Sequence, residues 1–445
     1  MTIARTICLG FLALIAIGTL LLMMPFATVT GTWNSFIVAL FTSTSAVCVT
    51  GLAVVDTGTY FSFWGQLTIL LLAQVGGLGY MTMTTFLLLL LGRKFDLRQK
   101  FAIQESFDRP FLQGSSSNLM RSIIATTMIC EISGIFLLLL VFVPEHGWSK
   151  GLWYSIFHSI SAWNNAGFSL FSDSLVGYHS SGAVNLIIPG LIIFGGIGYQ
   201  VIIEMYLWLT NKIKNKQERF CFSLNFKVVV GTTILLLILG TIAFLLTELN
   251  NPEILAPFSF KDKLLAAWFQ SVTTRTAGFN SIDVGSMTTA GLFITMGFMF
   301  IGASPSGTGG GIKTTTFRIL YNATKSVLRG KDEVVLYQRE VPSTLILKAV
   351  AVVFGTATSI ILMTISISSF DPELDFLRIL FEVISAFATV GLSTGITSSV
   401  SVASKIILVL SMYIGRVSIL ILIAAIIGDP SPSSLNYPEE NLLVG

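Results

Sequence analysis

The chain contains few charged residues. Only 11% of its 445 residues are Asp, Glu, Lys or Arg, whereas 53% are hydrophobic. In an average soluble protein about 25% of the residues are charged, so this chain lacks the charge that a water-exposed surface of its size needs. The composition predicts an integral membrane protein. The net charge of +3 is small, and a nucleic-acid partner is therefore not expected.

Histidine and cysteine are also scarce. The three histidines form no HExxH motif, and the four cysteines show neither CxxC spacing nor pairing with histidine. An intramembrane hydrolase needs a nucleophile or a set of metal ligands, so we predict that the chain is not an enzyme. Three of the cysteines lie in or beside apolar runs, which is typical of unreactive buried thiols.

Eight apolar stretches are long enough to cross a bilayer. They lie near residues 5–26, 64–91, 122–143, 184–209, 226–247, 289–325, 345–369 and 403–427. The first has no small-residue cleavage site after a short core, so we interpret it as a retained helix and not as a signal peptide. The eight stretches form four pairs, and a shorter apolar segment that cannot span lies between the two members of each pair.

The four shorter segments are copies of one unit. Each leads into a glycine that is followed by Leu or Phe, and these glycines, Gly51, Gly167, Gly278 and Gly391, are 116, 111 and 113 residues apart. Such spacing indicates an internal repeat. We predict an all-α membrane protein with eight transmembrane helices, in which four units surround a central pore. Each unit has an outer helix, a half-length pore helix, a glycine loop and an inner helix.

The repeats and the basic residues define boundaries and orientation. The predicted pore units are residues 1–95, 96–215, 216–335 and 336–428, and a cytoplasmic tail covers 429–445. Lys and Arg cluster in the three linkers between the units, and such clusters lie on the cytoplasmic side of a membrane. We therefore expect both termini in the cytoplasm and the glycine loops on the outer side.

The chemistry of the glycine loops suits a cation. Non-helical backbone at membrane depth is tolerated where it is buried in protein or lines a wet cavity. Glycine lets successive carbonyl groups turn toward one axis, where their oxygens can replace the hydration shell of a potassium ion. The C-terminal ends of the pore helices add partial negative charge.

A second glycine-rich stretch, GASPSGTGGGIKTTT, interrupts the inner helix of the third unit. Five glycines and Pro305 lie between Gly302 and Gly311, and they cannot sustain a helix. The stretch is no Walker loop, because Ile312 separates the last glycine from Lys313. We expect a buried loop that crosses the pore below the glycine loops and acts as a gate; the alternative is a structural kink.

Five stretches together resemble the Trk/Ktr/HKT superfamily of potassium transporters, most closely the KtrB-type membrane subunit of bacterial Ktr systems. They are CVTGLAVVDTG, SAWNNAGFSL, TTRTAGFNS, SAFATVGLSTG and GASPSGTGGGIKTTTF. The resemblance covers nearly the whole chain. It implies a K⁺ selectivity filter formed by Val49, Thr50, Gly51, Asn165, Ala166, Gly167, Thr276, Ala277, Gly278, Thr389, Val390 and Gly391. Glycine at position 51 matches the potassium-selective version of the family, since sodium-preferring plant relatives have serine there.

The resemblance also implies the gate. Its residues are Gly302, Ala303, Ser304, Pro305, Ser306, Gly307, Thr308, Gly309, Gly310, Gly311 and Lys313, together with Arg416. A charge inside a spanning segment is costly and usually faces the protein interior, so we expect Arg416 to hydrogen-bond carbonyl groups of this loop. Snorkelling to an interface is the alternative.

By the same resemblance, the chain works with a partner. A cytosolic ring of RCK/KTN-type subunits that bind ATP or ADP is expected to control the gate of a homodimer of this chain. The chain itself would bind K⁺ and no other cofactor, and would lie among lipids in the bacterial plasma membrane. The predicted function is gated potassium uptake, with the family's Na⁺ dependence carried over. The alternative is a sodium-coupled symporter with alternating access, although such proteins usually have two inverted repeats.

Other polar residues have open interpretations. Arg275 is expected to tie a pore helix to its neighbour, and Glu131 and Glu382 to pair with such charges. We expect His158 to be a packing residue. Three acids would either attract cations at the outer mouth or end turns: Asp56, Asp173 and Asp283.

Overall fold

The computed structural model describes residues 3–79, 116–214 and 220–428. The described part of the chain is mostly helical, and a two-stranded hairpin is the only sheet in it. The tail 429–445 and most of the first basic linker, which were predicted to face the cytoplasm, lie outside the described residues. The four repeat units can each be followed from an outer helix to an inner one.

The first unit begins with the outer helix α1 (Ile3–Met23) and continues with a short helix, α2 (Phe36–Val47). A single turn, α3 (Thr57–Tyr60), leads to the inner helix α4 (Phe63–Leu78). The hydroxyl of Ser62 accepts a hydrogen bond from a backbone amide of the first turn of α4, which satisfies one of the free donors of that helix end.

In the second unit, one long helical segment contains both the outer and the short helix. This segment, α5 (Ser116–Trp163), is interrupted at Gly147, whose φ of 76° is not helical. Glycine adopts this left-handed conformation without a steric cost, so the chain turns there and residues 148–163 form the short helix. The inner helix is also broken, because α6 (Val184–Gly196) and α7 (Tyr199–Ile213) meet at an angle of 103°.

The third unit contains four helices and the loop that the sequence predicts. The helices are α8 (Leu224–Glu248), α9 (Phe260–Thr273), α10 (Thr289–Phe300) and α11 (Thr314–Val327). Residues 301–313, between the last two, are not helical, as the glycines and the proline require. A hairpin of β1 (Val335–Leu336) and β2 (Arg339–Glu340) then leads to the fourth unit.

The fourth unit repeats the pattern of the second. Its outer helix is α12 (Ser343–Phe370), and its short helix is α13 (Phe376–Phe387). The inner pair, α14 (Val402–Val417) and α15 (Ile419–Ile427), is bent by 91°. The bend lies at Ser418, which has a φ of 76°.

The length and composition of the helices are those of a multi-pass membrane protein. Among the described residues, four helices are long and apolar enough to cross a bilayer, and up to six spans result if each bent pair counts as one. The predicted stretch 64–91 extends beyond the described residues, so the count of eight stays a prediction. The outer faces carry exposed apolar side chains such as Phe136, Leu140 and Phe354, which suit contact with lipid.

The repeat is also present in the packing of the outer helices. In three units, a serine of the short helix lies against a glycine of the outer helix: Ser43 against Gly18, Ser159 against Gly134, and Ser271 against Gly240. Each serine hydroxyl donates to the carbonyl oxygen three residues before that glycine, at 2.7 to 2.9 Å. A side chain at the glycine would collide with the serine, so the glycine allows the two helices to approach closely.

Candidate functional site: a ring of four glycine loops

The four repeat glycines lie side by side in a closed ring. A Cβ atom on Gly51 would lie 2.9 Å from the Cα atom of Gly167, and one on Gly167 would lie 3.0 Å from Gly278. The corresponding distance is 3.2 Å from Gly278 to Gly391, and 3.1 Å from Gly391 back to Gly51. The order around the ring is therefore the order along the chain. The second and fourth loops lie on opposite sides.

Backbone carbonyl groups lie at every junction of this ring. A side chain on any of the four glycines would collide with the carbonyl oxygen of the residue that precedes the next glycine. These oxygens belong to Ala166, Ala277, Val390 and Thr50. Glycine is therefore required at each position by the close approach of a neighbouring carbonyl group as well as by its own backbone conformation.

The four loops share one unusual backbone conformation. The ring glycines have φ values between 71° and 93°. The residue two positions before each glycine is also left-handed, with φ between 51° and 66°; these residues are Val49, Asn165, Thr276 and Thr389. This conformation is uncommon for residues with a side chain, and it costs about 1–2 kcal/mol relative to the ordinary one. Its recurrence in register means that the surroundings of all four loops impose it, as at functional sites.

Each short helix holds the loop that follows it. In three units, the amide before the ring glycine donates to the carbonyl oxygen five residues earlier, at 2.8 Å: Thr50 to Ser45, Ala166 to Ser161, and Val390 to Ser385. In the third unit, Ala277 donates four residues back, to Thr273, at 3.0 Å. The third unit therefore has one residue fewer between equivalent positions of its short helix and the ring glycine, since Ser43 and Ser159 come eight residues before their glycines and Ser271 seven.

Hydroxyl groups at the ends of the short helices reinforce the loops. Ser45 accepts a hydrogen bond from the Gly51 amide at 3.0 Å, and Ser385 accepts one from Gly391 at 3.1 Å. Thr273 donates instead to the carbonyl oxygen of Phe279 at 2.7 Å. These hydroxyls bind the loops that follow.

The loop 301–313 is buried against the broken inner helix of the second unit. Ser304 and Thr308 donate backbone hydrogen bonds to the carbonyl oxygens of Gly196 and Gly195, at 3.0 and 3.1 Å. In the other direction, the Tyr199 amide donates to the carbonyl oxygen of Ser306 at 3.2 Å. The break between α6 and α7 thus frees backbone groups that bind this loop.

The other side of the loop touches the glycine loops. The Gly310 amide donates to the side-chain oxygen of Thr389 at 3.0 Å. A Cβ atom on Gly309 would collide with the side-chain oxygen of Thr276, and one on Gly310 with that of Thr389. The left-handed threonines of the third and fourth glycine loops therefore rest directly on the run Gly309–Gly311.

Three basic side chains bind carbonyl oxygens of this region: Arg416, Lys313 and Arg275. Arg416 donates to Thr308 and to Gly76. Lys313 donates to Gly309 at 2.8 Å. The hydrogen bond from Arg416 to the loop agrees with the expectation from the sequence.

Arg275, at the end of the third short helix, is 8% exposed and donates to the carbonyl oxygen of Gly302 at 3.3 Å. It therefore links its helix to the first residue of the glycine-rich stretch. The sequence identified it as a tie between a short helix and a neighbour, and the neighbour is this stretch.

The expected charge partners of the two buried acids are replaced by neutral donors. Glu131 accepts from the amide group of Asn164 at 3.2 Å. Glu382 accepts from hydroxyl groups of its own unit, beginning with Ser393 at 2.6 Å. His158 is buried but does more than fill space, since its two ring nitrogens contact the Tyr154 carbonyl oxygen and a serine hydroxyl. Sequence reasoning missed the bonds to Ser169 and Ser393 because these serines lie on loops whose path it could not fix.

The three outer acids bind turns. Asp56 accepts from the Gly58 amide at 2.8 Å, and Asp283 accepts from Gly285 at 3.0 Å. Asp173 accepts from Gly177 at 3.2 Å. The sequence left open whether these acids attract cations or end turns, and the contacts are those of residues that end turns.

Comparison with known proteins identifies the class. Residues 6–437 match the TrkH family of cation transport proteins, and the chain therefore belongs to this family, which is one of transporters and not of enzymes. The resemblance stated from the loop motifs is thereby confirmed.

Individual relatives match over almost the entire chain. The Ktr system potassium uptake protein B of Bacillus subtilis is 39% identical over 441 residues, covering 99% of this chain and 96% of that protein. Its namesake in Vibrio alginolyticus is 39% identical over 447 residues, covering 99% of this chain and 94% of that protein. The potassium/sodium uptake protein NtpJ of Enterococcus hirae is 35% identical, covering 99% and 97%.

A solved structure has the same overall fold. The potassium transporter TrkH from Vibrio parahaemolyticus superimposes with a TM-score of 0.73 at 18% identity, covering 95% of this chain and 84% of that one.

Proposed function

We propose that this chain is the ion-translocating subunit of a Ktr-type potassium uptake system. Two relatives at 39% identity are named as potassium uptake proteins of Ktr systems. The observation that carries the proposal is the closed ring of four glycines with a carbonyl oxygen at each junction. Carbonyl oxygens arranged around an axis can replace the water shell of K⁺, which is the chemistry that selective conduction needs.

In this proposal, the selectivity filter consists of the three residues that end at each ring glycine: 49–51, 165–167, 276–278 and 389–391. Their repeated left-handed backbone supports a common function. The four pore units keep the boundaries predicted from the sequence.

The gate is the loop 302–313, with Arg416 as its latch. The loop lies against Thr276 and Thr389, which are filter residues, and its backbone is tied to the second unit and to Arg416. A buried loop that touches the filter is placed to block an ion leaving it. Flux would then require the loop to move and the bonds of Arg416 to Thr308 and Gly76 to break.

The name of the relatives, a Ktr system, implies a further subunit. We propose that it is a cytosolic RCK/KTN-type ring that binds ATP or ADP and controls the gate of a homodimer of this chain. The chain would lie in the bacterial plasma membrane with both termini in the cytoplasm. Sodium-dependent uptake is favoured by the relative named potassium/sodium uptake protein; a sodium-coupled symporter with alternating access is the alternative.

Potassium uptake by bacteria that lack their own potassium importers tests the proposal. We expect Gly278→Ser to raise the K⁺ concentration for half-maximal uptake, because its φ of 80° and the Val390 carbonyl oxygen leave no room for a side chain. Gly297→Ser is the matched control, since nothing lies within 4 Å of a Cβ atom there.

A deletion across Ser304–Gly310 should increase the maximal rate of uptake, because it removes the proposed gate. If neither the serine variant nor the deletion changed uptake relative to the control, the ring would not be a filter and the loop would not be a gate.

A further inference from the structure

A polar, buried side chain lies behind each glycine loop, on the short helix. It is nine residues before the ring glycine in three units and eight before it in the third, where one residue fewer separates equivalent positions of the short helix from the glycine. The four residues are Thr42, His158, Gln270 and Glu382, each at most 2% exposed. A shared position in all four units makes this a feature of the repeat.

Two of these four side chains reach the far side of their own loop. His158 contacts the hydroxyl of Ser169 through Nε2 at 2.9 Å, and Glu382 accepts from the hydroxyl of Ser393 at 2.6 Å. Both serines come two residues after the ring glycine. The helix and the outer end of the loop are thereby joined across the filter segment, and the two joined loops are the second and the fourth, which lie opposite each other in the ring.

The fourth loop is the more firmly held. Besides Ser393, the carboxylate of Glu382 accepts from the Thr394 amide at 2.9 Å and from the Thr397 hydroxyl at 2.7 Å. It also accepts from the Thr394 hydroxyl at 3.3 Å. Hydrogen bonds to a carboxylate are stronger than those between neutral groups, so this one side chain fixes three residues of the loop's outer end.

The first and third units have a different arrangement. The residue two positions after Gly51 is Ala53, which has no hydroxyl group to offer Thr42. In the third unit the nearest sulfur or oxygen partner of the Gln270 amide is the Met287 sulfur at 3.9 Å. Loops that are tied from this position of the short helix therefore alternate around the ring with loops that are held only by the hydroxyl groups nearer the helix end.

We propose that Glu382, with His158 on the opposite side, is a positioning residue of the filter that sets its discrimination between K⁺ and Na⁺. This inference rests on the proposed function of the glycine ring. Ser393 is two residues from Gly391, so the tie limits how far the Val390 and Gly391 carbonyl groups can shift. A loosened loop would adapt to the smaller Na⁺, since selectivity depends on the number and placement of the carbonyl oxygens.

The test compares Glu382→Ala and Ser393→Ala with Glu248→Ala as the matched control. Glu248 is also 1% exposed, and its carboxylate accepts from the Thr288 amide and hydroxyl at the start of α10. The permeability ratio of K⁺ to Na⁺ is measured with purified protein in liposomes. The K⁺ concentration for half-maximal uptake and the maximal rate of uptake are measured in cells that lack other potassium importers.

We expect Glu382→Ala to lower the permeability ratio and to raise the K⁺ concentration for half-maximal uptake, each by about tenfold, from the loss of charge-assisted hydrogen bonds. Ser393→Ala, which removes one of the bonds, should have a smaller effect in the same direction. Glu382→Gln retains the shape and an acceptor oxygen, and should recover part of the loss. Glu248→Ala should leave the ratio unchanged even if less protein reaches the membrane.

Two outcomes would overturn the inference. One is a wild-type permeability ratio in both Glu382→Ala and Ser393→Ala; the other is an equal fall of the ratio in Glu248→Ala, which would indicate a general loss of structure. Gly278→Ser is measured in parallel. If Gly278→Ser alters selectivity and Glu382→Ala does not, only the positioning role fails; if Gly278→Ser has no effect, the filter itself is misassigned.

Discussion

Single basic residues hold the buried loop by binding its carbonyl oxygens. Arg416 joins Thr308 of the loop to Gly76 of the first inner helix, and Lys313 and Arg275 bind Gly309 and Gly302. Where a helix is interrupted, its last carbonyl groups have no backbone N–H donors. The guanidinium and ammonium groups supply donors to such carbonyl groups. These side chains therefore hold the loop in addition to its backbone hydrogen bonds to the second unit.

Replacing Arg416 tests this dependence. Arg416→Ala removes two bonds to carbonyl oxygens, and because a hydrogen bond to a charged group contributes about 1.5–3 kcal/mol, we expect about a tenfold or greater rise in flux. The measurement is the initial rate of Rb⁺ uptake into liposomes. Lys405→Ala on the same helix is the control, since Lys405 is half-buried and donates to the Ser398 carbonyl oxygen and not to the loop. Equal rates in wild type and Arg416→Ala would refute a latch.

Some residues of the site could be predicted from the sequence and others could not. The four ring glycines were predictable because a fixed spacing and a shared following Leu or Phe mark them. The left-handed conformation of Val49 was not, since a β-branched side chain disfavours it and only the neighbouring loops impose it. The partners of Glu382 were equally hidden, because hydroxyls that follow in sequence could face either the helix or the outer solution.

The broken inner helices are the elements that organise the site. The second breaks at Gly198, and its free backbone groups bind the buried loop; the third opens into that loop; the fourth bends at Ser418. Glycine and proline content predicted the break in the third unit. At Ser418 a serine takes the left-handed conformation, which its tertiary surroundings must impose.

The break in the second inner helix is predicted to dock the gate. Gly198 has a φ of 94°, and a Cβ atom there would collide with the Pro305 carbonyl oxygen. We expect Gly198→Ala to push the loop away and to raise the rate of K⁺ uptake without changing selectivity. Gly147→Ala is the matched control for Gly198→Ala. Gly147 also interrupts a helix, with a φ of 76°, but it has open space around it.

Reduced uptake together with a lower permeability ratio of K⁺ to Na⁺ in Gly198→Ala would contradict a docking role for the break. It would mean that the break supports the filter and not the loop.

On the scale of the whole molecule, the first and fourth units close the ring. The Tyr413 hydroxyl on the fourth inner helix donates to the Cys8 carbonyl oxygen on the first outer helix, at 3.0 Å. One apolar cluster extends over these two units. The closure brings Gly391 against Gly51, so four segments spread along the chain become neighbours. The sequence indicated the fourfold repeat, but the number of spanning helices and the sharp bends depend on packing that a hydropathy pattern does not contain.

If the glycine ring selects the ion, a change in the ring must change the permeability ratio of K⁺ to Na⁺, which is measured in liposomes. The decisive pair is Gly391→Ala and Gly395→Ala. Both glycines are left-handed, with φ of 93° and 91°, so both variants carry the same backbone strain. Only a Cβ atom on Gly391 would meet the Thr50 carbonyl oxygen, whereas Gly395 has open space around it. We expect selectivity to collapse in Gly391→Ala and to persist in Gly395→Ala; the same ratio in both variants would contradict a filter formed by the glycine ring.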